Sequence, residues 1–411
     1  MYCITAFVLH IFRGGKVTYI NPEFEKNFGT KAQYVFSAPG RTELSGNHTD
    51  HQHGCVLAAA VNLEMLAWVK PNDTTVIRVQ SEGYPLSVID LTDVEIKPEE
   101  KNTTNALIRG IAARFMQLGC DVKGFDAYVT STVLPGSGLS SSASFEVLIG
   151  TIINHLHNDE KFTAVEVAQI GQYAENVYFG KPSGLMDQTA CAVGSVIGID
   201  FADNSNPVVE KIDLDLTANG YALCIIDSGA DHADLTDEYA AITVELKNVC
   251  RIFGKEYLRE VDETEFYTRI AEVREKAGDR RTLRAMHVFA ENKRVKMQKA
   301  ALRSGNFDTF LKYVTESGLS SWRLLQNVTP AGRTAHQEVA FALALAEKLL
   351  AGTKGVCRVH GGGFAGTIQA FVPLENLDSF KAEIEKVLGQ GRCHVLSVRA
   401  EGGTVVAKGE F

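Results

Sequence analysis

A strand-like run, FDAYVTSTV, leads directly into LPGSGLSSSAS (Leu134 to Ser144), and that stretch leads into SFEVLIGTIINHLHN. In the last segment Phe145, Leu148, Ile149, Ile152, Ile153 and Leu156 recur at i, i+3, i+4, i+7, i+8 and i+11, which is one apolar helical face. Strand, glycine loop and buried helix in succession restrict the fold strongly. The glycines let backbone come close to a ligand. The helix start supplies unpaired N–H groups and the positive end of a dipole, so phosphate is the expected guest. Gly136, Ser137, Gly138, Leu139, Ser140, Ser141 and Ser142 are the candidate contacts, with the serine hydroxyls available to phosphate or Mg2+. A Walker loop is excluded because no lysine follows, and a dinucleotide fingerprint because the third glycine is missing. The plain alternative is a turn with a serine cap.

Two further stretches concentrate glycine or histidine. PGRTELSGNHTDHQHG (Pro39 to Gly54) holds His48, His51 and His53 with Asp50 among them. On a strand His48 and Asp50 would share one face and His51 and His53 the other, which argues against a single zinc ion. Arg41, in a proline-glycine turn, is the better clue, since a fixed guanidinium beside a phosphate loop neutralises a transferring phosphoryl group. HGGGFAG (His360 to Gly366) lies between two strands. Gly361, Gly362, Gly363 and Gly366 exceed what a tight hairpin needs, so close approach to a ligand competes there with an ordinary wide turn.

The chain has 411 residues, 45% apolar and 22% charged, which suggests two ordinary globular domains. A net charge of −9 disfavours nucleic acid and anionic membranes as partners. No apolar run reaches the roughly 18–20 residues of a membrane span. The cysteines are scattered singly, which suggests free thiols in a reducing cytoplasm. No basic leader precedes the apolar start, and residues 1–20 are expected to be an extension. Short β-branched runs fill Tyr34 to Asp90, and NALIRGIAARFMQLG has helical spacing. Amphipathic segments at Glu238 to Phe253, Arg281 to Ser304 and Ala335 to Ala351 dominate the second half, and CHVLSVRA is the last expected strand. The expectation is an α+β chain in two lobes, residues 21–215 and 216–411.

In this order the three stretches resemble the motifs of the small-molecule kinases named for galactokinase, homoserine kinase, mevalonate kinase and phosphomevalonate kinase, and within them the galactokinase family. SAPGRTELSGNHTDHQHG resembles the sugar-binding signature A-P-G-R-x-N-L-I-G-E-H-T-D-Y, and LPGSGLSSSAS the ATP loop. GLMDQ resembles the stretch with the catalytic aspartate, and SGADHADLTDEYAAI the segment with a sugar-contacting tyrosine. RAMHVFAENKRV and ALRSGNFDTFLKYVTES resemble helices of the second domain. The likeness runs from about Phe24 to the last strand.

The resemblance implies a ribosomal-protein-S5-like first domain, a ferredoxin-like second domain, and an active site in the cleft between them. It implies ATP-dependent phosphorylation of the anomeric hydroxyl of galactose by a monomer or weak homodimer. Asp187 would be the base and Arg41 its partner. Asn47, His48, Asp50, Gly184 and Tyr239 would form the sugar pocket, with Mg2+ on Ser141 or Ser142 and Glu175. Four positions depart from the family: Glu43 for Asn, Asn47 for Glu, His51 for Tyr, and Gly318 for His. The family's Glu accepts a hydrogen bond from the sugar 6-hydroxyl, so Asn47 opens the alternative of a C6-modified sugar such as galacturonate. A sugar and ATP sensor without turnover is a further alternative, disfavoured by the intact serine loop.

Overall fold

The computed structural model describes residues 19–133, 138–230 and 235–411. Gly136 and Ser137 of the candidate ATP loop, and all but the end of the 1–20 extension, lie outside them. The strands are β1 (Tyr34–Ser45), β2 (Cys55–Pro71), β3 (Val76–Ser81), β4 (Ser87–Asp90), β5 (Phe125–Ser131), β6 (Val196–Asp200), β7 (Val208–Ile212), β8 (Tyr221–Asp227), β9 (Val356–Val359), β10 (Thr367–Pro373), β11 (Cys393–Leu396) and β12 (Thr404–Lys408). The helices are α1 (Pro22–Phe28), α2 (Thr104–Gln117), α3 (Ser141–Asn158), α4 (Ala164–Tyr173), α5 (Met186–Val193), α6 (Thr236–Ile252), α7 (Glu263–Thr268), α8 (Ile270–Ala277), α9 (Asp279–Arg303), α10 (Phe307–Ser320), α11 (Glu338–Leu350) and α12 (Leu377–Leu388).

Strands β12, β1, β2, β5, β3 and β4 form one sheet in that order, with β6 and β7 attached to the first half of β2. β3 and β5 run parallel and the other pairs antiparallel. The second sheet is antiparallel in the order β11, β8, β10, β9. The chain passes between the sheets from Ile212 to Tyr221, then returns to the first sheet at β12. The expected 216–411 lobe therefore gives up its last strand, and CHVLSVRA (β11) is followed by one more.

The predicted apolar face of α3 is the buried one. Leu148, Ile149, Ile152 and Ile153 are fully covered, each contributing roughly 1.5–3 kcal/mol of apolar burial, Phe145 is nearly so, and Leu156 at the far end is half-buried. α3 and α5 lie against β1 and β2, so the ends of both helices meet the signature strand. α11 and α12 cover the second sheet, and α6 to α9 share a third cluster with Phe364 and Ala365 of the last glycine stretch.

One local expectation is corrected. Pro39, Gly40 and Arg41 form no turn. They continue β1, with a register shift between Pro39 and Arg41. Proline cannot donate to a ladder, and a bulge tolerates it inside a sheet. The Arg41 N–H released by the bulge donates to Leu139 O at 3.0 Å, which ties β1 to the ATP loop.

Candidate active site

At this bulge the Arg41 side chain turns toward the start of α5. Its Nε donates to Asp187 Oδ1 at 2.7 Å and its Nη2 to Asp187 Oδ2 at 2.6 Å. Nη1 donates to Gly138 O. Burial pushes the Asp187 carboxyl up, but Arg41 and a hydrogen bond from Ser140 outweigh it, and the net shift is downward. Burial works against the guanidinium too, and Asp187 reverses that as well. The pair is ionised at neutral pH.

Ser140 has a left-handed φ of 56° and does not cap α3. Its Oγ donates to Asp187 Oδ2 at 2.7 Å. The first-turn N–H groups of α3, beginning at Ser141, have no side-chain cap and remain available to an anion. Ser142 Oγ reaches Glu175 Oε1 at 3.3 Å. Glu175 is the second residue of a π-helical turn (Ala174–Phe179) after α4, and it is buried. Its Oε2 accepts from Ser183 Oγ at 2.5 Å and from Gln188 Nε2 at 2.9 Å. Gln188 Nε2 also donates to Glu146 Oε2 at 2.9 Å, and burial holds the Glu146 carboxyl well above the usual range. Among the described residues no group of three or more His, Cys, Asp and Glu side chains could hold a metal ion alone.

The sugar signature after β1 is a loop with a short 3-10 turn (Asp50–Gln52), not a strand, so the two-faced arrangement of histidines does not arise. Asp50 packs on Gly184, where a Cβ would sit 2.0 Å from Asp50 Oδ2. Burial raises the Asp50 carboxyl to about 6.

The other three sugar candidates are tied to successive carbonyls of the third glycine stretch. Asn47 Nδ2 donates to Gly361 O at 2.5 Å, His48 Nε2 to Gly362 O at 3.0 Å, and Tyr239 Oη to Gly363 O at 2.8 Å. A carbonyl only accepts, so His48 carries its proton on Nε2. Its Nδ1 then accepts from His51 Nε2 at 3.2 Å, and His51 Nδ1 accepts from Gln52 Nε2 at 3.2 Å. Burial depresses His48 to about 4 and His51 to about 3, so this chain stays neutral. Gly366 O accepts from Ser228 Oγ and ends the stretch.

Asn47 is held from several sides within the protein. It is fully buried, and its Oδ1 accepts from Asn327 Nδ2 at 2.8 Å and Ser321 Oγ at 3.2 Å. Nδ2 also donates to Glu43 Oε1 at 3.1 Å. Every polar atom of the amide is engaged within the protein, so Asn47 positions its loop. Glu43 pairs with buried Arg358 at 2.8 Å. Burial raises the Glu43 carboxyl to about 7 against that pairing.

Sequence reasoning missed Glu291 and His287 on α9. Glu291 Oε1 accepts from Ser45 Oγ, Gly46 N and Ser317 Oγ at 3.1, 3.0 and 2.6 Å. His287 Nε2 donates to Asn47 O at 3.0 Å. The two stand four apart on the buried side of α9, and a polar pair on an apolar helix face was the available signal.

The galactokinase galactose-binding signature matches residues 22–71, and the model of the GHMP kinases N terminal domain matches residues 106–195. A galactokinase of Clostridium tetani is 32% identical over 380 residues, covering 90% of this chain and 93% of that one. A galactokinase of Glaesserella parasuis is 31% identical over 366 residues, covering 87% and 90%. Lactococcus lactis galactokinase, solved with galactose, superposes with a TM-score of 0.79 at 27% identity, covering 93% of this chain and 98% of that one. A mevalonate kinase shares the fold with a TM-score of 0.62 at 16% identity. The fold is that of the GHMP class of small-molecule kinases. Within that class the chain belongs to the galactokinase family.

Proposed function

We propose that the protein transfers the γ-phosphoryl group of ATP to the anomeric hydroxyl of galactose, giving galactose 1-phosphate and ADP. The observation that carries this reading is the bidentate Arg41–Asp187 pair set against the uncapped start of α3. Phosphoryl transfer needs an oriented hydroxyl and charge stabilisation more than a strong base. Asp187 orients the hydroxyl and receives its proton. Arg41 keeps Asp187 ionised and stabilises the equatorial oxygens. Gly138 to Ser142 and the N–H groups of α3 cradle the phosphates. Asp50 accepts from two sugar hydroxyls, with Gly184 beneath it. Asn47, His48 and Tyr239 fix the wall through the third glycine stretch.

Glu175 and Ser142 offer the hard oxygen donors that Mg2+ favours, with Ser141 adjacent, and the shell is too small without phosphate oxygens. A buried carboxylate already bearing an ammonium ion, from Lys181 at 2.8 Å, fits a cation position. The metal would neutralise charge between the β- and γ-phosphates.

Two lobes, an S5-like one before about residue 215 with β12 added to its sheet, and a ferredoxin-like one from there through β11, would enclose the site in their cleft. All these groups come from one chain, which suits a monomer or weak homodimer. The described cysteines are unpaired, which suits a reducing cytoplasm, and no described helix is long and apolar enough to cross a membrane.

Asp187→Asn is the test. Turnover should fall by orders of magnitude while sugar and ATP still bind. Near-normal kcat in that variant would refute the assignment.

A further inference from the structure

Between the π-turn and α5 runs Gly180–Lys181–Pro182–Ser183, which enters the site above only through the contacts of Lys181 and Ser183 with Glu175. Gly180 N and Lys181 N both donate to Glu175 O, at 3.0 and 3.1 Å, and close the π-turn. This brings the Lys181 side chain back over Glu175, where Nζ donates to Oε1 at 2.8 Å. Ser142 Oγ approaches the same oxygen. The other oxygen is fixed by Ser183 and Gln188. The carboxylate is therefore clamped by neutral donors on one side and presents the other to a cation beside the phosphate helix. The two partners differ in freedom. The Glu175 side chain is 3% exposed and the Lys181 side chain 58%. The carboxylate stays in place and the ammonium can leave.

We propose that Lys181 is a tethered counter-ion of the divalent-cation position, holding Glu175 until a metal–nucleotide complex displaces it. This rests on the reading of Glu175 as a metal residue. An ammonium that must be displaced lowers the affinity of the nucleotide-free protein for a bare divalent cation. Nucleotide phosphates compensate by offering the displaced ammonium new oxygens. Metal loading thereby becomes dependent on nucleotide. Lys181 is a positioning residue for this step.

Mn2+ serves as the probe, titrated into the full chain without nucleotide, with free Mn2+ followed by electron paramagnetic resonance. Lys181→Met should bind Mn2+ about fivefold more tightly than wild type, the equivalent of one partly exposed ion pair. Lys181→Arg, which keeps the charge, should remain near wild type. Glu175→Gln combined with Lys181→Met should lose the gain. Thermal melting of each variant checks that it is folded. Equal Mn2+ affinity in wild type and Lys181→Met, or no gain up to millimolar Mn2+, would overturn the proposal. If Glu175→Gln left Mn2+ binding unchanged in both backgrounds, the metal reading itself would fall, and the proposal with it.

Discussion

The Asn47 side-chain amide donates to the Glu43 carboxylate at 3.1 Å, and these two residues stand in exchanged positions relative to the family signature. The signature has Asn first and Glu four places later. Here Glu comes first and Asn follows. A buried carboxylate needs a cation, and Arg358 on β9 supplies it. β9 comes close because residue 318 is glycine: a Cβ there would lie 3.0 Å from Arg358 Cβ. Three of the four departures from the family thus belong to one buried network, and the fourth, His51, hydrogen-bonds His48. The carboxyl group has moved four places along the chain, onto Arg358, and has not been lost, which weakens the case for a carboxylated sugar.

Exchanging this pair tests the network. Glu43→Asn leaves the buried Arg358 guanidinium without its carboxylate, holding only the Leu44 and Val359 carbonyls, and should cost about 3–5 kcal/mol in denaturant unfolding. Adding Asn47→Glu restores an amide–carboxylate pair and should recover at least about 1 kcal/mol of that loss. Strict additivity of the two changes would show that they are not coupled.

Gly184→Ala probes the floor of the sugar pocket. The new Cβ would overlap the Asp50 carboxylate, so Asp50 has to move. Overpacking should cost about 1–3 kcal/mol of stability. Displacement of the carboxylate should lower kcat/KM for the sugar on the order of 100-fold, with the KM for ATP little changed. An unaltered sugar KM would remove Asp50 from the pocket.

Asp50 also sets a pH dependence. Because burial raises its carboxyl to about 6, the folded protein holds a proton between the ordinary carboxylate range and pH 6 that the unfolded chain has released. In that window Asp50 reduces stability as pH rises. Sugar binding runs the other way, since the ionised form accepts two hydroxyls. KM for galactose should therefore rise on acidification through about 6. His48 and His51, depressed to about 4 and 3, add no step there, whereas Glu43, raised to about 7, titrates just above it. A KM that is flat between pH 5 and 8 would contradict this role for Asp50.

Much of this was legible in the chain, for physical reasons. The apolar periodicity of α3 and the glycines before it are local signals, and they marked the start of α3 as the candidate phosphate site. The partners of the signature loop were hidden. Arg358 reaches Glu43 from 315 positions away, a distance that no local pattern spans. Pro39–Gly40 reads like a turn, although a bulge in a central strand uses the same residues. Asn47 read as a sugar contact because it stands where the family has its sugar-binding Glu, and its saturation became visible only when Asn327, Ser321 and Gly361 converged on it. β12 escaped notice because TVVAK is short and follows two glycines.

Coupled ADP release with galactose, galacturonate, galactosamine and arabinose tests the central claim most directly. The expected result is Mg2+-dependent ADP formation with the highest kcat/KM for galactose. Faster turnover of galacturonate, or binding of ATP and galactose with no ADP released, would contradict it.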